Sequence, residues 1–154
     1  MTSLSEREQM AIELIGAVAS QLQEGQVIHQ VGFTGRSMLP LLRQGKDRVD
    51  LMKAPERLKR YDLPLYLGPR GKYVMHRIIA IDDDCYICRG DNTYCLERIR
   101  REQIVAVVSA IHRGNRRIPV TAWYYQAYCR IWNAVFPLRK AARACKHWLR
   151  RRLQ

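Results

Sequence analysis

The sequence predicts a mainly β domain of the α+β class: a bent antiparallel sheet or partial barrel, with an N-terminal helix and a C-terminal amphipathic helix. Three observations carry this. Residues 26–117 break into short alternating or β-branched runs separated by Gly-, Pro- and Asp-containing turns, a spacing that favours antiparallel neighbours. Apolar residues recur at helical spacing before Gly25 and again after Val120. At 154 residues the chain suits one domain with an adequate core. The expected division is a helix packed on the domain at 1–25, a β-rich unit at 26–118 and a basic amphipathic helix at 119–154.

Residues 3–24 form the first helix. Ser5 and Glu8 have the spacing of a capping box, and Met10, Leu14, Val18 and Leu22 keep to one face until Gly25 ends it. Ala17-Val18-Ala19 has the small-residue pattern of a secretory cleavage site. Glu6, Arg7, Glu8 and Glu13 precede it, however, and no secretory apolar region carries such charges. Strands are expected at Val27–Phe33, Val49–Met52, Leu63–Leu67, Lys72–Ile81, Cys85–Arg89 and Ile104–Ile111. Pro64 cannot donate to a ladder and favours an edge position for the third. Asp82-Asp83-Asp84 makes the turn between the fourth and fifth. The helix after Val120 has an aromatic-rich face from Trp123 to Phe136, is interrupted by Pro137, and then alternates Leu138, Ala141, Ala142, Cys145, Trp148 and Leu149 with basic residues. Two readings of it stand side by side: packing on the β-unit with a solvated basic side, or lying in the interface of an anionic membrane.

Net charge is +13 and lopsided. No Asp or Glu follows Glu102, whereas eleven Arg and Lys do, an end suited to phosphate in nucleic acid or anionic lipid. Five cysteines, an odd number, without a signal peptide point to reduced thiols and a cytoplasmic place, peripheral on the membrane if the last helix docks there. Cys85, Cys88 and Cys95 invite a zinc reading, but Cys85 and Cys88 fall on opposite faces of a strand and no second Cys-x-x-Cys follows. No metal or cofactor is expected. No run of about eighteen apolar residues occurs, so no transmembrane anchor is expected.

The chemistry centres on Gly35-Arg36-Ser37-Met38-Leu39-Pro40 and on Val74-Met75-His76-Arg77-Ile78. A Ser ahead of a Pro-started turn and a lone His on a later strand make a candidate nucleophile and base. Pro40 suits the first turn of a short helix closed by Gly45, whose free N–H groups would lie beside Ser37. His29, His112 and His147 show no partner logic.

Gly-x-Ser-Met-x-Pro-x-Leu at 35–42, the His-Arg-Ile strand and Gly90-Asp91-Asn92, in that order, resemble the superfamily of type I signal peptidases and LexA-like self-cleaving repressors, over roughly residues 30–113. Many members place Lys where His76 stands; the endoplasmic-reticulum type places His, so the chain is similar to the Ser-His branch. The resemblance implies an irregular β-structure, Ser37 as nucleophile and His76 as general base, with an ordinary His pKa near 6.5 suiting deprotonation of Ser at neutrality. It also implies an acidic third member seven residues after Gly90. That is Glu97, where the relatives have Asp, with Asp91 as the alternative; Asp91 is otherwise expected to make turn bonds through its carboxylate. The Ser37 N–H, with the Thr34 hydroxyl, would form the oxyanion hole. Lys46 is an additional residue between Gly45 and Asp47, predicting a bulge or longer turn.

Two functions follow. One is a serine endopeptidase acting through an acyl-enzyme on Ser37 upon an extended peptide. The other is a non-catalytic module binding anionic membrane or nucleic acid through the basic C-terminal helix. A LexA-type repressor is disfavoured: a helix-turn-helix does not fit ahead of Gly25, and no Ala-Gly or Cys-Gly dipeptide is present for self-cleavage. The expected substrate is another protein.

Overall fold

The computed structural model describes residues 17–22 and 24–152. Residues 17–22 are helical (α1), and Leu22 is buried in the main core; the rest of the helix expected over 3–24 lies outside the described residues. Nine strands follow: β1 Ile28–Val31, β2 Asp47–Met52, β3 Pro64–Leu67, β4 Tyr73–Met75, β5 Arg77–Asp82, β6 Cys85–Arg89, β7 Glu97–Arg100, β8 Ile104–Arg113 and β9 Arg116–Pro119. A short 3-10 turn joins β7 to β8, and two helices, α2 Trp123–Ala134 and α3 Phe136–Arg152, close the described chain.

The architecture is mainly β within the α+β class, but it is two antiparallel sheets and not a single bent sheet or closed barrel. The larger has the order β1-β2-β8-β3-β4 with β9 beside β8; the smaller is β5-β6-β7. β8 can serve three neighbours because it is ten residues long, and none of its residues is exposed. It pairs with β3 through Ile104–Val107, with β2 through Val107–Arg113 and with β9 through Ala110–Arg113. The β5–β6 turn falls at Asp83-Asp84 as expected, with Asp82 opposite Cys85 and Asp83 at φ 47°.

The continuous strand expected over Lys72–Ile81 is broken in two at His76, and each half joins a different sheet. The cause lies in the partner. Pro64 opens β3, and Leu65 opposite Met75 is the last β3–β4 pair, since Pro64 has no N–H to extend the ladder. Beyond the break the chain is taken up elsewhere: Tyr61 N–H donates to Ile78 O at 2.8 Å and Ile78 N–H to Asp62 O at 3.0 Å. Pro64 also overturns the edge expectation, because β3 lies between β8 and β4. A Pro is tolerated on this inner strand because it is the first residue, where β4 has already ended.

There are two clusters of buried side chains, and the second is shared between the sheets, since it joins Tyr66, Ile104 and Val107 of the larger to Ile78, Cys88 and Ile99 of the smaller. The first gathers Leu22, Met38, Leu42, Val49, Leu51 and Ile111 against Tyr125 and Cys129 of α2; the second also holds Leu58. The segment after Ser37 is pinned by the first. Met38, Leu41 and Leu42 all turn inward, and each such side chain contributes about 1.5–3 kcal/mol when fully buried. That pull gives consecutive turns through 37–41, with Leu39 N–H donating to Arg36 O and Leu42 N–H to Met38 O, in place of the short helix expected from Pro40 to Gly45. The Leu39–Pro40 peptide bond is cis. Lys46 sits in the longer turn expected of it, its N–H and that of Asp47 both donating to Arg43 O.

Candidate active site

His76 stands at the seam between the sheets, 8% exposed. Its Nδ1 lies 3.2 Å from Glu97 Oε2 and 3.2 Å from the Tyr66 hydroxyl. Glu97 opens β7, whose pairing with Cys88 of β6 delivers its carboxylate to the ring. The Tyr66 hydroxyl also donates to Glu97 Oε2 in a short contact. With its own proton on the carboxylate, the Tyr66 oxygen can only accept from His76, as can Glu97. Nδ1 therefore carries hydrogen, and Nε2 carries the free lone pair.

Nε2 faces the Gly90 loop. A Cβ on Gly90 would lie 3.1 Å from His76 Nε2 and 2.7 Å from the Ser37 carbonyl oxygen. Glycine is needed there for space, since imidazole and Ser37 backbone close on it from two sides. The loop then fastens the Ser37 turn: Asn92 N–H donates to Ser37 O at 2.7 Å, and Asn92 Nδ2 donates to Arg36 O at 3.2 Å. Ser37 is half-buried, with exposed Arg36 before it and buried Met38 after it. Gly35 has φ 104°, a conformation that favours glycine, and its N–H is held by Gln44 at 2.9 Å. Thr34, expected to help hold an oxyanion, lies in this exposed approach. Beside the Ser37 turn is an open cleft of about 450 Å³ lined by Leu39, Pro40, Asn92, Tyr94, Trp132 and Arg139.

The electrostatics suit a neutral imidazole. Burial lowers the His76 pKa below the ordinary value, outweighing the charge and hydrogen bond of Glu97 and the charge of Asp91, which raise it. Tyr66 is pushed far above its ordinary range by burial and then by Glu97, so it stays a donor. Burial, helped by the same carboxylate, pushes the Cys88 thiol up to about 12, which removes it as a competing nucleophile.

Asp91 is placed elsewhere. Its carboxylate forms a two-pronged pair with Arg77, at 2.8 Å on each oxygen, and accepts from Tyr128 at 3.1 Å. It does not make the turn bonds expected of it: its carboxylate faces Arg77 and Tyr128, and the turn is closed by the Thr93 N–H and hydroxyl, which both donate to Gly90 O. Arg77 is wholly buried, and its remaining nitrogen reaches the Tyr125 hydroxyl at 3.1 Å and Cys129 Sγ at 2.7 Å. Burial alone would weaken its hold on a proton, but Tyr125 and Asp91 keep its pKa well above the ordinary value. The residue next to the candidate base is thus bolted to both the Gly90 loop and α2. Trp132 Nε1–H adds a bond to Asp91 O at 3.0 Å.

Sequence reasoning missed Tyr66 and the structural role of Arg77; the docking of α2 agrees with the packing reading of that segment. Tyr66 is the one side chain with a polar end in the strand Pro-Leu-Tyr-Leu, and Arg77 was visible as the cation following His76. Two histidines read as unpartnered also have a partner: His29 and His112 lie 3.3 and 2.8 Å from the buried carboxylate of Asp50. Burial alone would raise the Asp50 pKa, but the Gln30 N–H, Arg117 and these imidazoles bring it down to about 2. His147 lies where side chains are outside the described residues. Cys85 is half-buried and Cys88 buried, all five cysteines are free, and no group of three metal-ligating side chains occurs among the described residues.

No protein-family model matches the chain, and no curated protein matches it significantly. No helix among the described residues is long and apolar enough to cross a membrane.

Proposed function

We propose that the chain is a serine endopeptidase of the Ser-His type, resembling signal peptidase, in which Ser37 is acylated and His76 is the general base. The carrying observation is the geometry at His76: Tyr66 and Glu97 both lie 3.2 Å from Nδ1 and leave Nε2 on the side of the Ser37 turn. Neutral at physiological pH, Nε2 takes the Ser37 Oγ proton as Oγ attacks the peptide carbonyl, and the imidazolium is stabilised by Glu97. The same proton passes to the leaving amine, giving an acyl-Ser37 that water, activated by His76, hydrolyses. Glu97 is the third member on this reading, and Asp91 acts through Arg77 as a positioning residue. Thr34 and the Ser37 N–H remain the candidate oxyanion donors.

The test is covalent labelling by a fluorophosphonate probe, followed by cleavage of a peptide library. Ser37→Ala is expected to abolish both while leaving the circular dichroism and the melting transition unchanged, since a half-buried loop hydroxyl costs little to remove. Turnover retained in the Ala variant would remove Ser37 from the mechanism.

A further inference from the structure

The C-terminal helices carry an apolar stripe that begins at Ile131 and Leu138 and is exposed among the described residues. α2 and α3 are separated by one residue, and helical bonding continues across it: Val135 N–H donates to Ile131 O at 3.0 Å and Arg139 N–H to Val135 O at 3.1 Å. Pro137 falls in the first turn of α3, where its missing N–H is not needed. Ile131, Leu138 and Cys145 therefore stand seven residues apart on nearly one line, since a seven-residue step drifts by only about 20° on a straight helix. Ala134, Ala141 and Trp148 fill the same line. Ile131 is 63%, Leu138 73% and Trp148 53% exposed, and every side chain from Lys140 to Lys146 is exposed.

The start of α3 is nonetheless held firmly. Arg139 lies over the Trp132 ring at 3.7 Å, Arg143 over Tyr94 at 4.7 Å, and Phe136 packs on Tyr94 at 5.5 Å between ring centres. So α2 packs on the β-unit through Tyr125 and Cys129, as one of the two readings of this segment expected, while the stripe is presented on an exposed side of the rooted α2–α3 segment. α3 carries Arg139, Lys140, Arg143, Lys146, Arg150, Arg151 and Arg152 and no acidic residue. A second copy would set that charge against itself, and nucleic acid would leave the apolar line uncovered.

We propose that this stripe docks on an anionic lipid bilayer, with α3 in the plane of the interface. The apolar line enters the headgroup boundary, the exposed aromatic Trp123 (80%) and Trp148 lie at its depth, and the basic flanks meet anionic headgroups. Ala142 of α3 also lines the cleft beside the Ser37 turn, so docking sets that cleft at the lipid surface. The docking itself does not depend on the peptidase reading, because it is read as binding and needs no turnover.

The full-length protein is sedimented with phosphatidylcholine vesicles containing increasing fractions of phosphatidylglycerol, at rising salt. Binding is expected to grow with the anionic fraction and to weaken several-fold with salt without vanishing, because the apolar contribution is unscreened. Ile131→Glu with Leu138→Glu should lower the bound fraction at least tenfold at every salt, and Lys140→Glu with Lys146→Glu should remove most of the dependence on phosphatidylglycerol. All these positions are exposed, so folding checked by circular dichroism is expected to be unchanged. Unaltered binding by the Ile131/Leu138 variant overturns the proposal. So does equal recovery in the supernatant at low salt, or binding to duplex DNA with steep salt dependence in a protein that ignores vesicles.

Discussion

Replacing Glu97 by Gln tests the proposed Ser37–His76–Glu97 triad most sharply, because it removes one charge and little volume. Glu97 Oε2 lies 3.2 Å from His76 Nδ1, with side-chain exposures of 24% and 10%. Two full charges at that distance attract by about 5 kcal/mol at an effective dielectric of about 20. Imidazolium charge is only partly developed at the transition state and Glu97 is partly solvated, so about half of this, 2–3 kcal/mol, is the realistic loss, or roughly 10²-fold in rate. A Gln amide that turned its NH₂ toward Nδ1 would also favour the wrong tautomer, and the loss would approach the roughly 10⁴-fold seen when a triad carboxylate becomes an amide. The readout is the rate of fluorophosphonate labelling at Ser37 as a function of pH. In the wild type the rate should rise with pH through a limb below the ordinary His value of about 6.5, because burial lowers the His76 pKa and the neutral ring is the active form. Glu97 opposes that lowering, so Glu97→Gln should carry the limb to still lower pH while dropping the plateau. A full plateau, or a limb displaced upward, would refute the assignment of Glu97.

Two other substitutions follow from the same geometry. Gly90→Ala puts a methyl group 2.7 Å from the Ser37 carbonyl oxygen and 3.1 Å from His76 Nε2. It should cost about 1–3 kcal/mol of stability by overpacking and slow labelling by more than tenfold; a variant that labels normally would mean that loop and ring are farther apart in solution. Arg77→Met leaves Asp91 buried and unpaired and should cost about 3–5 kcal/mol in urea denaturation. Adding Asp91→Asn should restore part of that stability, and a single-variant loss below about 1 kcal/mol would deny the pair its structural role.

How far the sequence was legible depended on whether a feature was local. The turn at Asp82-Asp83-Asp84 and the long β8 run were readable because alternation and β-branching are local signals. The resemblance carried by Gly35–Leu42 pointed to the Ser37 turn, which the structure fastens to the Gly90 loop beside His76. The break at His76 was not readable, because alternation over 72–81 continues through it unmarked; what ends β4 is Pro64, on another strand. β7 and β9 were missed because Glu-Arg-Ile-Arg and Arg-Arg-Ile-Pro are dominated by charge, and each is a strand only by pairing with a neighbour that needs covering. Glu97 could be counted off from Gly90, but Tyr66 joins it only after β3 and β7 meet across the seam. The role of Asp91 was misread because its partner, Arg77, is fourteen residues away in sequence.

Because the chain changes sheets at His76, the arming of the site and the integrity of the smaller sheet are one event. Ser37 is rooted through Met38 in the larger core, whereas Glu97 belongs to the last strand of the smaller sheet. If that sheet opens by local unfolding, as modest peripheral units do, the serine stays in place but the ring loses its orienting carboxylate. On the proposed peptidase reading, a half-opened molecule is thus a disarmed one: damage or thermal fraying would yield an inert fold instead of an unregulated peptidase.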